Sequence, residues 1–238
     1  MRKGPKPTFE SVTQRAYFNV QSGRKCIGMY ESALDIWLRA ATDASRNSKD
    51  KGDLFEELCR RILLSGHLSG PYGCIDDAWL LQDVPQTVCE HLNLRRKDYG
   101  IDIIACSGDS TRPESAKFYA IQAKFRTRRR PRGKAAIINR GKILVNYREL
   151  ATFEAAVAAT GPYAGSCLMT SADGGRRGAK RDGNKSNKRT FAYGTLVKLP
   201  QQFWLDVSLM NGQRLVEETP EQKISIEDVR AARLARFS

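Results

Sequence analysis

Residues 100–125 read GIDIIACSGDSTRPESAKFYAIQAKF, and this stretch decides the class of fold open to the chain. Residues 101–106 (IDIIAC) form a short apolar strand, and 117–125 (KFYAIQAKF) alternate between two kinds of side chain. The polar, turn-rich segment SGDSTRPESA joins them, which predicts an antiparallel hairpin. With Cys106 opposite Phe118, the register puts Asp102 opposite Gln122. Side chains two apart on a strand share a face, so Gln122 and Lys124 project together beside Asp102. Tyr119, Ile121, Ala123 and Phe125 make the other face, which suits a core. A carboxylate, an amide and an ammonium on one side of an apolar hairpin are rarely needed for structure alone.

Working outward, residues 29–44 (MYESALDIWLRAATDA) read as an amphipathic helix with Met29, Ala33, Trp37 and Ala40 near one face. The polar run SRNSKDKGD breaks it. A second helix is expected to begin near Asp53, to bury Leu54, Phe55, Leu58, Ile62 and Leu63, and to end around Ser65-Gly66. Glu56 and Glu57 lie at the margins of that stripe. Either can lean over the hairpin, or the two can form ordinary surface pairs, Glu56–Arg60 and Glu57–Arg61. Residues 78–84 and 166–170 read as strands, 146–159 as a long helix ended by Gly161-Pro162, and 173–189 as a basic loop. FAYGTLVKL reads as a further strand, QQFWLDVSL as a short element of either type, and Ser225 to Asp228 as a capping box opening a last helix. The expected organisation is an N-terminal extension with one helix (1–50), a main domain (51–212) and a helical tail (213–238), with a frayed start.

The charge is concentrated. The chain carries +14, with nine bases and no acid from Lys124 to Lys142, and seven bases with one acid from Arg176 to Arg189. Those two stretches hold +9 and +6, so the remainder is close to neutral. Localised positive charge of this size suits a polyanion, because each neutralised phosphate releases condensed counterions. A solvated basic loop or a nuclear localisation tract is the plainer alternative. No run has the length of a membrane span, and the start has no apolar signal segment, so an intracellular, non-secreted protein away from membranes is expected. Six cysteines (26, 59, 74, 89, 106, 167) include no CxxC pair and only His67 and His91 accompany them, which favours reduced thiols over a zinc cluster. The segment GGRRGAKR (174–181) lacks the spacing of a phosphate loop, so no nucleotide-hydrolysing motor is encoded.

In order, LFEELCRRIL, DYGIDIIA and YAIQAKF resemble the Mrr-like branch of the PD-(D/E)xK restriction-endonuclease superfamily. Phe55-Glu56 matches the helix motif, Gly100-Ile101-Asp102 the aspartate motif, and Gln122-Ala123-Lys124 the last motif. WLLQDVP (79–85) also resembles the first core strand of nuclease domains fused to some helicases. The match spans roughly residues 50 to 170, about half the chain. The resemblance implies an α/β, restriction-endonuclease-like αβββαβ core with a central mixed sheet flanked by helices. It implies a Mg²⁺-dependent endodeoxyribonuclease, a phosphodiester hydrolase in which Mn²⁺ can substitute. Glu56, Asp102, Gln122 and Lys124 would be catalytic, and Glu56, Asp102, the Gln122 amide oxygen and the Ala123 carbonyl would hold the metal. Gln122 departs from the Glu or Asp of better-known members, which puts more weight on Glu56 and leaves open a domain that does not cut.

DNA is the expected partner, its backbone held by Arg126, Arg128, Arg129, Arg130, Arg132 and Lys134 and by Arg176, Arg177, Lys180 and Arg181. Asp98 is either a second metal ligand or a turn residue, and Tyr99 either stacks on a base or packs locally. Cutting both strands favours a homodimer. The alternatives are a catalytically silent nucleic-acid-binding module, or a nuclease subunit with a helicase or restriction-complex partner.

Overall fold

The computed structural model describes residues 6–21, 32–68, 74–96, 100–127, 143–175 and 188–209. In chain order these form α1 (Phe9–Gln21), α2 (Ala33–Ala44), α3 (Ser48–Leu64), β1 (Asp77–Leu80), α4 (Gln86–His91), β2 (Ile103–Ser107), β3 (Lys117–Lys124), β4 (Leu144–Val145), α5 (Ala151–Ala159), β5 (Gly165–Thr170), β6 (Gly174–Gly175), β7 (Lys188–Phe191), α6 (Tyr193–Leu196) and α7 (Gln201–Leu209). A five-stranded sheet runs β1-β2-β3-β5-β7. Its first three strands are antiparallel neighbours, and β5 and β7 add in parallel, so the sheet is mixed. The hairpin has the register read from its alternation, with Cys106 opposite Phe118 and Ile103 opposite Ile121.

Period-two alternation on β3 sorts the core into two layers. Tyr119, Ile121 and Ala123 face the layer that also holds Leu54, Phe55, Leu58, Cys59 and Ile62 of α3. Phe118 and Ala120 face the layer built by Val88 and Cys89 of α4 and Phe153 and Ala156 of α5. Each fully buried Leu, Ile or Phe contributes roughly 1.5–3 kcal/mol relative to exposure, so α3, with Phe55, Leu58 and Ile62 inaccessible, is firmly seated.

Several sequence expectations need correction. The N-terminal segment carries two helices rather than one and is not a frayed appendage. Phe9, Val12 and Ala16 of α1 join the α3-side layer, and the Trp37 indole N–H of α2 donates to Thr13 Oγ1 at 3.1 Å. Helix α3 starts at Ser48, within the polar run read as a break, because the Asn47 side chain accepts the Asp50 N–H at 2.8 Å and caps it. The segment FAYGTLVKL, read as a strand, contributes only its first residue to β7 and then turns into α6, while QQFWLDVSL is helical. Part of the 173–189 loop is ordered as β6 and the start of β7. The six-residue α4 had no sequence expectation. The tail 213–238, with its expected helix, lies outside the described residues. Among the described residues no helix is long and apolar enough to cross a membrane.

Candidate active site

The site forms where β2 and β3 part company. Ile103–Ile121 is the last pair of their ladder, while β3 continues to Lys124 against β5 alone. At the parting, the Asp102 N–H donates to the Ile121 carbonyl and the Asp102 carbonyl accepts from the Leu81 N–H, both at 3.0 Å. The Asp102 carboxylate then accepts the Ala123 N–H at 2.7 Å, replacing the ladder acceptor that β2 no longer supplies. A ladder N–H points within the plane of the sheet, so this carboxylate oxygen lies close to that plane. Gly100 sets the entry to Asp102. Its φ is +89°, and a Cβ there would stand 2.9 Å from the Phe153 backbone nitrogen of α5. Left-handed geometry and close packing together exclude a side chain at this position.

Gln122 sits on the far side of β3 from α3, in register with Leu168 of β5. Its side chain is buried, at 1% exposure, and Oε1 has no hydrogen-bond partner among the described residues. Lys124 shares that face and is half-buried.

Helix α3 covers the opposite face, so Glu56 approaches from across the sheet. One ring contact sets the level of its turn. The ring of Phe55 meets that of Phe125 edge-on, with centroids 5.8 Å apart, which ties the Glu56 turn to the end of β3. Below it the Cys59 thiol is inaccessible. Burial pushes its pKa well up, followed by Cys167 and then by the negative charges of Glu56 and Asp102. The fields of both carboxylates therefore reach one buried thiol. Glu57 is not available to the site: Arg60 grips it through two nitrogens (2.7 and 2.8 Å) and Arg61 through a third (2.7 Å). Arg60 thus pairs with Glu57, and not with Glu56 as the helical spacing suggested.

Two residues outside the sequence reading hold the end of β3. Thr170 Oγ1 donates to the Lys124 carbonyl at 2.8 Å, and Ser171 Oγ accepts the Arg126 N–H at 2.7 Å and donates to the Arg126 carbonyl at 3.1 Å. Both are fully buried. The available signal was a pair of hydroxyls following the apolar run CLM at 167–169.

Among the expected phosphate-binding residues, Arg126 is committed to Glu149 and to the Phe125 carbonyl. Arg128, Arg129, Arg130, Arg132, Lys134, Arg176, Arg177, Lys180 and Arg181 lie outside the described residues, as do Asp98 and Tyr99. Among the described residues, no three His, Cys, Asp or Glu side chains gather to hold a metal ion. At the parting strands stand the Asp102 carboxylate, on the Ala123 N–H, and the buried Gln122 amide, while Glu56 is carried by α3 across the sheet.

Comparison with family models, with curated proteins and with solved structures finds no match. The functional reading of this chain accordingly rests on its own residues and geometry.

Proposed function

We propose that this chain is a Mg²⁺-dependent DNA endonuclease with a restriction-endonuclease-like core, in which α3, β1, β2, β3, α5 and β5 supply the αβββαβ order. One observation carries the reading: a buried amide oxygen on Gln122 with no donor among the described residues, next along β3 to Ala123, whose N–H the Asp102 carboxylate accepts. A buried carbonyl left unsatisfied costs about 1–3 kcal/mol, and a Leu or Met of similar size would avoid that cost. A structural role for Asp102, capping the Ala123 N–H, accounts for Asp102 but leaves Gln122 unexplained. A hard cation accounts for both, since oxygen donors suit Mg²⁺ and an amide oxygen needs no proton removed to serve.

Asp102 would hold the metal at the edge of the sheet with Gln122 Oε1 and the Ala123 carbonyl from β3, and Glu56 would add its negative charge from the α3 side. A bound Mg²⁺ would lower the pKa of a water and polarise the scissile phosphate. Lys124, on the Gln122 face, orients the attacking water and steadies charge building on the phosphate oxygens. The +14 chain attracts the DNA backbone, and a second copy of the chain would serve the second strand.

The test is plasmid nicking and cutting in Mg²⁺, with DNA affinity measured in parallel. Asp102→Ala and Lys124→Ala are expected to lose cutting and keep DNA binding. Equal cutting by both variants and wild type would reject the site. A wild-type chain that binds DNA but never cuts, in Mg²⁺ or Mn²⁺, would point to the silent binding module.

A further inference from the structure

Lys124 is the last residue of β3, and its pair with Thr170 is the last of the β3–β5 ladder. On its other side the strand has already lost β2, since Ala123 is held by the Asp102 carboxylate. Past this point backbone pairing alone does not fix the chain. Side-chain hydroxyls take over. Thr170 Oγ1 donates to the Lys124 carbonyl, which also receives the Ser171 N–H at 3.4 Å. Thr170 Oγ1 accepts the Ala172 N–H at 3.1 Å, which turns β5 away. Ser171 Oγ bonds both the N–H and the carbonyl of Arg126. Both hydroxyl protons of these two fully buried residues, and the Ser171 acceptor, are thus spent on the three-residue stretch that begins with Lys124.

We propose that Thr170 and Ser171 are positioning residues for Lys124, acting through the backbone at residues 124–126; this deepens the nuclease reading above and rests on it. A lysine side chain is long and flexible, so the precision of its ammonium depends on a stationary Cα. A misplacement on the order of 1 Å can cost about a hundredfold in rate. Neither residue touches substrate, so their loss should lower turnover and leave DNA binding intact.

The experiment is cleavage of a labelled duplex in Mg²⁺ over a range of DNA concentrations, for wild type, Lys124→Ala, Thr170→Val, Thr170→Ser and Ser171→Ala. DNA affinity is measured in Ca²⁺ and folding by thermal unfolding. Thr170→Val keeps the shape and removes the hydroxyl; it is expected to cut kcat about tenfold or more, with KM and Ca²⁺ affinity within about twofold of wild type. Ser171→Ala is expected to behave likewise. Thr170→Ser restores the hydroxyl and should recover kcat to within about threefold. Wild-type kcat in both Thr170→Val and Ser171→Ala overturns the proposal, while loss of cutting in Lys124→Ala leaves the nuclease reading standing. A loss that appears only in KM, or that Thr170→Ser shares in full, also overturns it. Thr170→Ser keeps the test decisive if Thr170→Val fails to fold. A wild-type chain that does not cut removes both readings together.

Discussion

Replacing Gln122 by Met separates function from stability at one atom. Met is unbranched, of similar length, and lacks the carbonyl whose oxygen is buried with no donor among the described residues. Removing that unsatisfied group recovers about 1–3 kcal/mol, against a repacking cost for a volume-conserving swap of under about 1.5 kcal/mol. In metal-free buffer Gln122→Met should therefore be more stable than wild type by about 1–2 kcal/mol. For a chain of this size that raises the melting temperature by roughly 2–8 °C. Saturating Mg²⁺ should narrow or reverse the gap: a ligand at one hundred times its Kd adds about 2.7 kcal/mol to the form that binds it, and the variant lacks one donor. Cutting should fall by at least about tenfold. Urea unfolding with and without EDTA, alongside plasmid cutting, reads all three quantities. A Gln122→Met chain less stable than wild type in EDTA, or stabilised by Mg²⁺ to the same extent, refutes the reasoning.

Asp102→Asn keeps an acceptor for the Ala123 N–H but loses the charge, so it should fold within about 1 kcal/mol of wild type and show no Mg²⁺-dependent cutting; retained cutting would remove Asp102 from the metal site. Gly100→Ala must adopt a φ of +89° and push against Phe153, and should lose at least about 1–3 kcal/mol by chemical unfolding. Burial pushes the Glu57 carboxyl up, but the hydrogen bonds and charges of Arg60 and Arg61 outweigh it and hold its pKa below the ordinary 4.5. A carboxyl depressed in the folded state stabilises at pH above its unfolded value, and that contribution fades as pH falls through the folded value. Glu57→Gln should accordingly cost about 2–3 kcal/mol near neutral pH, and its gap to wild type should close below pH 4.5; a gap constant with pH would contradict the assignment.

The two acidic neighbours on α3 show where reading by spacing ends. Helical periodicity offered Glu56 and Glu57 equally, since each has an arginine four residues on. The choice was made by Arg61, which is 4% exposed at its side chain and lodged among Glu10 and Phe9 of α1 and the Val207 carbonyl of α7. A buried guanidinium requires anionic partners, and it draws Glu57 away from the sheet. Helix α1 is not legible locally, because the surrounding Pro, Gly and Lys obscure the spacing of its buried Phe9, Val12, Thr13 and Ala16. Thr170 and Ser171 were legible only as residue types. Their role depends on what β3 lacks at its end, and no local pattern records that.

The sequence by itself determined the hairpin and its register from Ile103–Ile121 to Ser107–Lys117, because strand alternation has a period of two and a slip of one residue would turn every side chain to the wrong face. It also determined the apolar stripe of α3 and the basic character of the chain. Only the tertiary structure decided that β2 leaves β3 at Asp102, that Gln122 Oε1 is buried with no donor among the described residues, that Glu57 is taken by Arg60 and Arg61, and that two hydroxyls hold the strand end bearing Lys124. Those outcomes depend on contacts between segments far apart in the chain, where burial sets the cost of leaving a polar group unpaired.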